Sequence, residues 1–259
     1  LFEYIEGERV NYFRYNFNSD GSAAAFISGR SDGFNSDLEQ RKILYEELNI
    51  DHEQIVQPGQ IHSAKILEPN CGSVYDNERP IPADAVICQN NNCLPQGLFA
   101  DCVPVFLYHS SSKIKAIVHS GWKGTTRAII SMVLERLKYD YLLPFSGLKI
   151  AIGPAIQQEN YQVDSRVYEL FWKRLPVFMR GYSEEIFVEG ETSSEFYLDL
   201  KKANYLLAVN SGVPSENIFV SDICTYDCDR LYSYRREGEQ AGRMTALLLT
   251  AKTFESRNE

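Results

Sequence analysis

Two histidines and one cysteine carry the most chemical information in this chain. The sequence has four histidines: His52, His62, His109 and His119. His62 lies in Gln60-Ile61-His62-Ser63, within a run that reads as extended. His119 ends an apolar run and opens His119-Ser120-Gly121-Trp122-Lys123-Gly124, which leads into a helical pattern. Cys102 stands in Ala100-Asp101-Cys102-Val103-Pro104, at the start of another apolar run. Two imidazoles and one thiolate form a three-ligand set of the zinc type, with a fourth position left for water. The three are far apart in sequence, so the fold would have to assemble them. Spacing alone leaves a plainer alternative open, two satisfied histidines and a buried thiol. His52, in a polar loop, reads as a surface residue, and His109, entering a Ser-rich stretch, as a turn residue.

The cations are grouped. Gly121 and Gly124 precede a helix, where free backbone N–H groups and the helix dipole favour an anion, and Lys123 and Arg127 add charge. The full phosphate-loop pattern is missing, so a nucleotide-triphosphate loop is not expected. Tyr232-Ser233-Tyr234-Arg235-Arg236, followed by Gly242-Arg243, interleaves arginine with aromatics, which suits stacking and oxyanion contact. Arg30, between Gly29 and Ser31, is an isolated further candidate. For each group a solvated charge is the alternative.

The elements that must position these residues are partly legible. Short apolar runs predict strands at 55–57, 61–66, 85–88, 102–108, 114–118, 149–152, 186–188, 196–198, 218–220 and 244–250. Helical spacing predicts helices over 37–48, 125–137 (capped by Thr125 or Thr126), 164–171 (capped by Asp164) and 198–211, the last stopped by Gly212 and Pro214. Asn18–Ser36 and Pro69–Pro82 read as loops. Strands and helices interleave irregularly. The expected fold is α+β, a single layered α/β domain with a mixed β-sheet over residues 1–259.

The chain has 259 residues, 24% of them charged, and a net charge of −9, ordinary values for a soluble globular protein. That balance argues against a broad nucleic-acid interface. No apolar stretch approaches the ~18 residues that a membrane helix needs. Leu1–Val10 carries three glutamates and no signal-peptide core, so the expected location is cytoplasmic. The start at Leu1 reads as processed or trimmed. The six cysteines are expected as reduced thiols.

Jointly, Gln60-Ile61-His62-Ser63, Asp84-Ala85, Ala100-Asp101-Cys102-Val103-Pro104, His119-Ser120-Gly121-Trp122-Lys123-Gly124, Ile152-Gly153-Pro154, Asp199-Leu200, Cys224-Thr225, Ser233-Tyr234-Arg235-Arg236 and Gly242-Arg243 resemble the YfiH-type laccase-domain family. Its members are read as zinc-dependent purine nucleoside phosphorylases with adenosine deaminase activity. The resemblance implies a YfiH-like fold with His62, Cys102 and His119 as metal ligands. Zinc is the expected ion, with copper less favoured. It implies purine nucleosides (adenosine, inosine, guanosine and methylthioadenosine) and inorganic phosphate as partners. Asp84 and Asp101 become candidates for proton handling. Arg30, Gly121, Lys123, Gly124, Arg235, Arg236 and Arg243 become candidates for holding phosphate or substrate. The chain departs from the family pattern at Gly29, where Thr is common, at Lys123, where Arg is common, and at Ala155, where Cys is frequent. The older multicopper reading needs on the order of ten imidazoles, and four cannot supply them. The same residue types would also suit a Cys–His hydrolase with Cys102 as nucleophile, or a nucleoside-binding protein without catalysis.

Overall fold

The computed structural model describes residues 1–30, 38–69 and 79–250. Its strands are β1 (Glu3–Ile5), β2 (Tyr12–Asn16), β3 (Ala23–Ser28), β4 (Ile55–Val56), β5 (Ile66–Leu67), β6 (Ala85–Cys88), β7 (Leu94–Phe99), β8 (Val103–His109), β9 (Ile114–Ser120), β10 (Leu148–Ile152), β11 (Gln162–Asp164), β12 (Phe187–Glu189), β13 (Glu195–Leu198), β14 (Ile218–Val220) and β15 (Met244–Thr250). Its helices are α1 (Leu38–Glu47), α2 (Trp122–Thr126), α3 (Ile129–Glu135), α4 (Ser165–Arg174), α5 (Ser183–Ile186), α6 (Leu200–Asn210) and α7 (Tyr234–Glu237).

Two six-stranded sheets make the frame. One has the order β1-β2-β3-β15-β7-β4, the other β14-β10-β8-β9-β6-β5, and a small sheet β11-β13-β12 stands apart. Both large sheets are mixed: β4 runs parallel to β7, β14 to β10 and β5 to β6, and the other pairs are antiparallel. Ala23, Ala25, Ile27, Ala246 and Leu248 of the first sheet bury against Phe106, Tyr108, Ile117 and Ala151 of the second. On its other face the first sheet packs Ala24, Phe26, Leu247 and Leu249 against Leu44, Tyr45 and Leu48 at α1. The second sheet packs Val105, Leu107, Ala116, Val118 and Ile150 against α3 and α6. The result is four layers, helix–sheet–sheet–helix. Strands buried on both faces lose the polar alternation of a surface sheet, which is why β8, β9 and β15 read as continuous apolar runs.

Several expectations need correction. Within the stretch read as a loop at 18–36, Ala23–Ser28 is a fully buried strand next to β15; its small residues let the sheets approach. The rest of that stretch from 31, and residues 70–78 of the second loop, lie outside the described residues. Leu94–Phe99 is a strand despite Pro95 and Gly97, because Pro95 sits opposite Val56 in a two-residue parallel pairing at its end. The helix expected over 125–137 is two helices broken at Ala128, whose φ is +52°, and the first is capped by Gly121. Met132, within that stretch, is exposed. The run 61–66 is mostly a loop, not a strand. Cys88 and Cys93 form a disulfide where thiols were expected; their backbones face each other across the turn between β6 and β7, with Cα atoms 5.5 Å apart. Cys102, Cys224 and Cys228 are free. Among the described residues no helix is long and apolar enough to cross a membrane.

Candidate metal centre

Sheet register places the site. In the second sheet His119 lies opposite Pro104, and Val118 opposite Ala85. Asp84 just precedes β6, Cys102 just precedes β8, and His119 is the last residue but one of β9. Three neighbouring strands therefore bring these side chains to one end of the sheet. His62 comes from the loop between β4 and β5. The ligand atoms of His62, Cys102 and His119 all lie within 4.8 Å of one another. His119 is buried, Cys102 is half-buried and His62 is exposed, so the trio opens to solvent on the His62 side.

The loop carrying His62 is held in a costly conformation. Gln60 and His62 have φ of +40° and +57°, in the left-handed region that side chains seldom occupy. Three sets of bonds compensate. The Gln60 amide donates to the Leu98 carbonyl (2.7 Å), and its carbonyl accepts from Leu98 N (2.7 Å), like one more strand residue beside β7. Arg127 donates to the carbonyls of His62 (3.1 Å) and Lys123 (2.9 Å), tying the loop to α2. Asp84 accepts from His62 N (2.9 Å), Ser63 N (2.6 Å) and Ser63 Oγ (2.7 Å).

Asp84 also sets the tautomer of His119. Its Oδ1 is 2.9 Å from His119 Nδ1. Although burial opposes its charge, the bonds from His119 and Ser63 hold its carboxyl down at about 2. As a carboxylate it can only accept, so Nδ1 carries the proton and Nε2 is left as the lone-pair donor. This carboxylate–histidine pairing is the usual support of a metal-ligating imidazole. Burial also works against the Cys102 thiolate, but the charge of His119 and the bonds from His119 and His62 outweigh it and bring the thiol down to about 6. Burial lowers His119, while Cys102 and Asp84 raise it further, to about 9.

A divalent ion fits this donor set. Nitrogen and sulfur donors, one thiolate among them, suit zinc or another borderline cation. Gly121 shows how closely the wall is drawn: a Cβ there would lie 2.6 Å from Cys102 Sγ and 3.5 Å from the His62 ring. At Gly124 it would meet the His119 and Ser63 carbonyls at 3.3 and 3.4 Å. Both glycines thus stand at backbone approaches within the centre.

The other sequence candidates fall into different places. Asp101, at φ +80°, accepts from Thr225 Oγ1 and Arg235 N, both at 2.6 Å. Arg235 donates to the Asn160 and Gln162 carbonyls. Arg236 donates to the Thr225, Tyr226, Cys228 and Leu231 carbonyls and pairs with Glu237, organising that loop. Arg30 pairs with Glu237 at 3.0 Å and lies over the Tyr232 ring. Arg243 bonds the Ala241 and Gly242 carbonyls and lies over Tyr234. Lys123 is exposed on α2, over Trp122. His109 is buried, its Nδ1 2.9 Å from Ser112 Oγ in the β8–β9 turn. The sequence offered Arg127 only as a charge beside Lys123, gave no sign of Tyr161, and did not single out Thr225 or the Gln60 side chain. Of these, Gln60 and Thr225 lay inside quoted motifs, a signal that was present.

Comparison with known proteins agrees with this picture. The family model described as multi-copper polyphenol oxidoreductase laccase matches residues 29–251. A Staphylococcus epidermidis protein named purine nucleoside phosphorylase is 30% identical over 226 residues, covering 84% of this chain and 81% of that protein. A Staphylococcus aureus protein of the same name is 32% identical over 213 residues, 79% of this chain and 76% of its own. Among solved structures, YlmD from Geobacillus stearothermophilus superposes with a TM-score of 0.84 at 26% identity, covering 96% of this chain and 99% of its own. The YfiH protein of Bacillus licheniformis shares the fold, with a TM-score of 0.83 at 24% identity, covering 95% and 98%.

Proposed function

This chain belongs to the multi-copper polyphenol oxidoreductase laccase family, and on that premise we propose that it is a zinc-dependent purine nucleoside phosphorylase whose centre is His62, Cys102 and His119. The observation that carries the reading is the convergence of those three donors, backed by Asp84 behind His119, in a chain whose relatives bear that enzyme's name. In phosphorolysis a phosphate oxygen forms a bond to C1′ of the ribose, the N9–C1′ bond breaks, and its electron pair stays with the base. His62, Cys102 and His119 would hold a divalent ion, which would supply Lewis acidity when bound.

The protein's own residues have separable tasks in this reading. Asp84 positions: all its bonds are spent on His119, His62 and Ser63, and it is fully buried. Asp101 likewise supports the wall behind Cys102. Neither carboxylate is free to carry protons, unlike the glutamate that zinc deaminases place at their metal. Phosphorolysis is therefore the principal reaction, and adenosine deamination a subsidiary one in the same site. Arg30 and Arg243, beside Tyr232 and Tyr234, and the exposed Lys123 are the candidate cations for phosphate. Arg236 is structural.

The test is elemental analysis together with an adenosine assay, with and without phosphate, on wild type and Cys102→Ala. Wild type is expected to hold a stoichiometric metal and to release adenine only with phosphate; inosine would report deamination. The variant should lose both metal and activity. Unchanged turnover in Cys102→Ala would overturn the reading. The low-lying Cys102 thiol favours one rival, a Cys–His hydrolase. Activity retained after metal stripping and abolished by thiol alkylation would select it. Saturable adenosine binding without product would select a nucleoside-binding protein.

A further inference from the structure

We propose that Tyr161 is a substrate-contacting residue of this centre and that Arg235 is the positioning residue that fixes it; this rests on the reading of the centre as a nucleoside site. Tyr161 stands between the turn Gln158–Asn160 and β11. Its N–H donates to the Gln158 carbonyl at 3.0 Å, and its carbonyl accepts from Leu198 N at 3.1 Å. Its backbone is therefore set. The side chain is set by Arg235. That guanidinium donates to the carbonyls on either side, Asn160 at 3.1 Å and Gln162 at 2.9 Å. Its central carbon lies 5.0 Å from the centroid of the Tyr161 ring, within cation–π range. One planar cation thus grips both flanking peptides and backs the ring.

The clamp is anchored at the metal centre. Arg235 N donates to Asp101 Oδ2 at 2.6 Å, and Asp101 directly precedes Cys102. The Tyr161 phenol lies near enough to the Cys102 and Asp101 charges to feel both. Burial, followed by the Cys102 charge, raises its pKa, so it remains a neutral O–H donor. The ring is half-buried, and its hydroxyl is bonded to no other described residue. The phenols of Tyr45 and Tyr141, by contrast, are spent on Gln96 and Glu68. A fixed ring with an unspent donor, linked through Arg235 and Asp101 to Cys102, suits a flat heteroaromatic base with ring-nitrogen acceptors. As N9–C1′ breaks and the electron pair passes to the purine, those nitrogens gain negative charge. The phenol keeps its proton and shares it through a hydrogen bond that strengthens as the base departs. Arg235, with two terminal nitrogens already on carbonyls, holds the ring and not phosphate.

The experiment compares wild type with Tyr161→Phe, Arg235→Lys and the double variant. It measures zinc content, kcat/KM for adenosine, KM for phosphate, and adenosine binding by calorimetry on the zinc-loaded protein without phosphate. Tyr161→Phe keeps the ring and removes the donor. It should lower kcat/KM for adenosine about ten- to a hundredfold and weaken adenosine binding, with zinc content and phosphate KM unchanged. Arg235→Lys should move the same two quantities. The double variant should be little worse than the poorer single one, because both act through one contact. Wild-type adenosine kinetics and affinity in Tyr161→Phe would overturn the proposal. A rise in phosphate KM alone for Arg235→Lys would overturn its positioning half. If wild type binds adenosine without turnover, weaker binding by Tyr161→Phe still upholds the contact while phosphorolysis fails. If wild type neither binds nor turns over adenosine, both readings fall.

Discussion

Lys115 sits fully buried on β9 with its ammonium unpartnered among the described residues, opposite Cys88 on one side and Tyr108 on the other. Burial pulls its pKa down to about 8. The folded chain therefore holds its proton less well than the unfolded chain, whose lysines titrate near 10.4. Below about pH 8 both states are protonated and the fold bears the whole penalty. Between there and about pH 10.4 the unfolded state binds the extra proton, so stability from this group rises with pH. Lys115→Met should stabilise the protein by up to about 3 kcal/mol at neutral pH, and the gain should shrink as pH rises towards 10. Urea unfolding at pH 7 and pH 9.5 measures both numbers. A destabilised variant at pH 7 would show that the ammonium has a favourable partner in solution.

Loops decide the site at the scale of elements. The segment bearing His62 is bonded to β7 through Gln60, to α2 through Arg127 and to the start of β6 through Asp84. Asp84→Asn replaces a double acceptor with a group that presents one carbonyl and one amide, so His119 loses its fixed tautomer. Metal affinity should drop about 10–100-fold, with circular dichroism unchanged; competition against a chromogenic chelator reads the affinity. Equal affinity in the variant would remove Asp84 from its supporting role. Much of this scale was readable in the sequence. The runs at 85–88, 102–108 and 114–118 gave the strands that present Cys102 and His119, and Asp164 announced the cap of α4. What was hidden depends on partners distant in the chain. Nothing local shows that Gln60 will mimic a strand residue beside Leu98, or that Ala128 will break a helix. Ala23–Ser28 looked like part of a loop because alanines state no preference for a strand until two sheets close over them. Convergence of the trio was likewise a property of register across β6, β8 and β9, which spacing does not encode.

For the whole molecule, the centre ties several elements together: β9 of the second sheet, the link from β7 to β8, and the loop after β4. An ion that binds the native state alone stabilises it by RT ln(1 + [M]/Kd), about 2.7 kcal/mol at a hundredfold excess over Kd. Dialysis against a chelator should therefore lower the melting temperature by several degrees, and added zinc should restore it in a concentration-dependent way. Scanning calorimetry on stripped and reloaded protein checks this. An unchanged melting temperature would mean that the three donors do not bind zinc in the folded state.

The place of β15 has a consequence for biosynthesis. This strand, at residues 244–250, is hydrogen-bonded between β3 and β7 in the middle of its sheet. As the chain leaves the ribosome, β3 and β7 emerge long before the strand that joins them. Until it arrives, two apolar edges stand open, a configuration prone to intermolecular pairing. A nascent chain stalled or cleaved ahead of Met244 is thus left with a split sheet, and chaperones or proteases would meet it in that form.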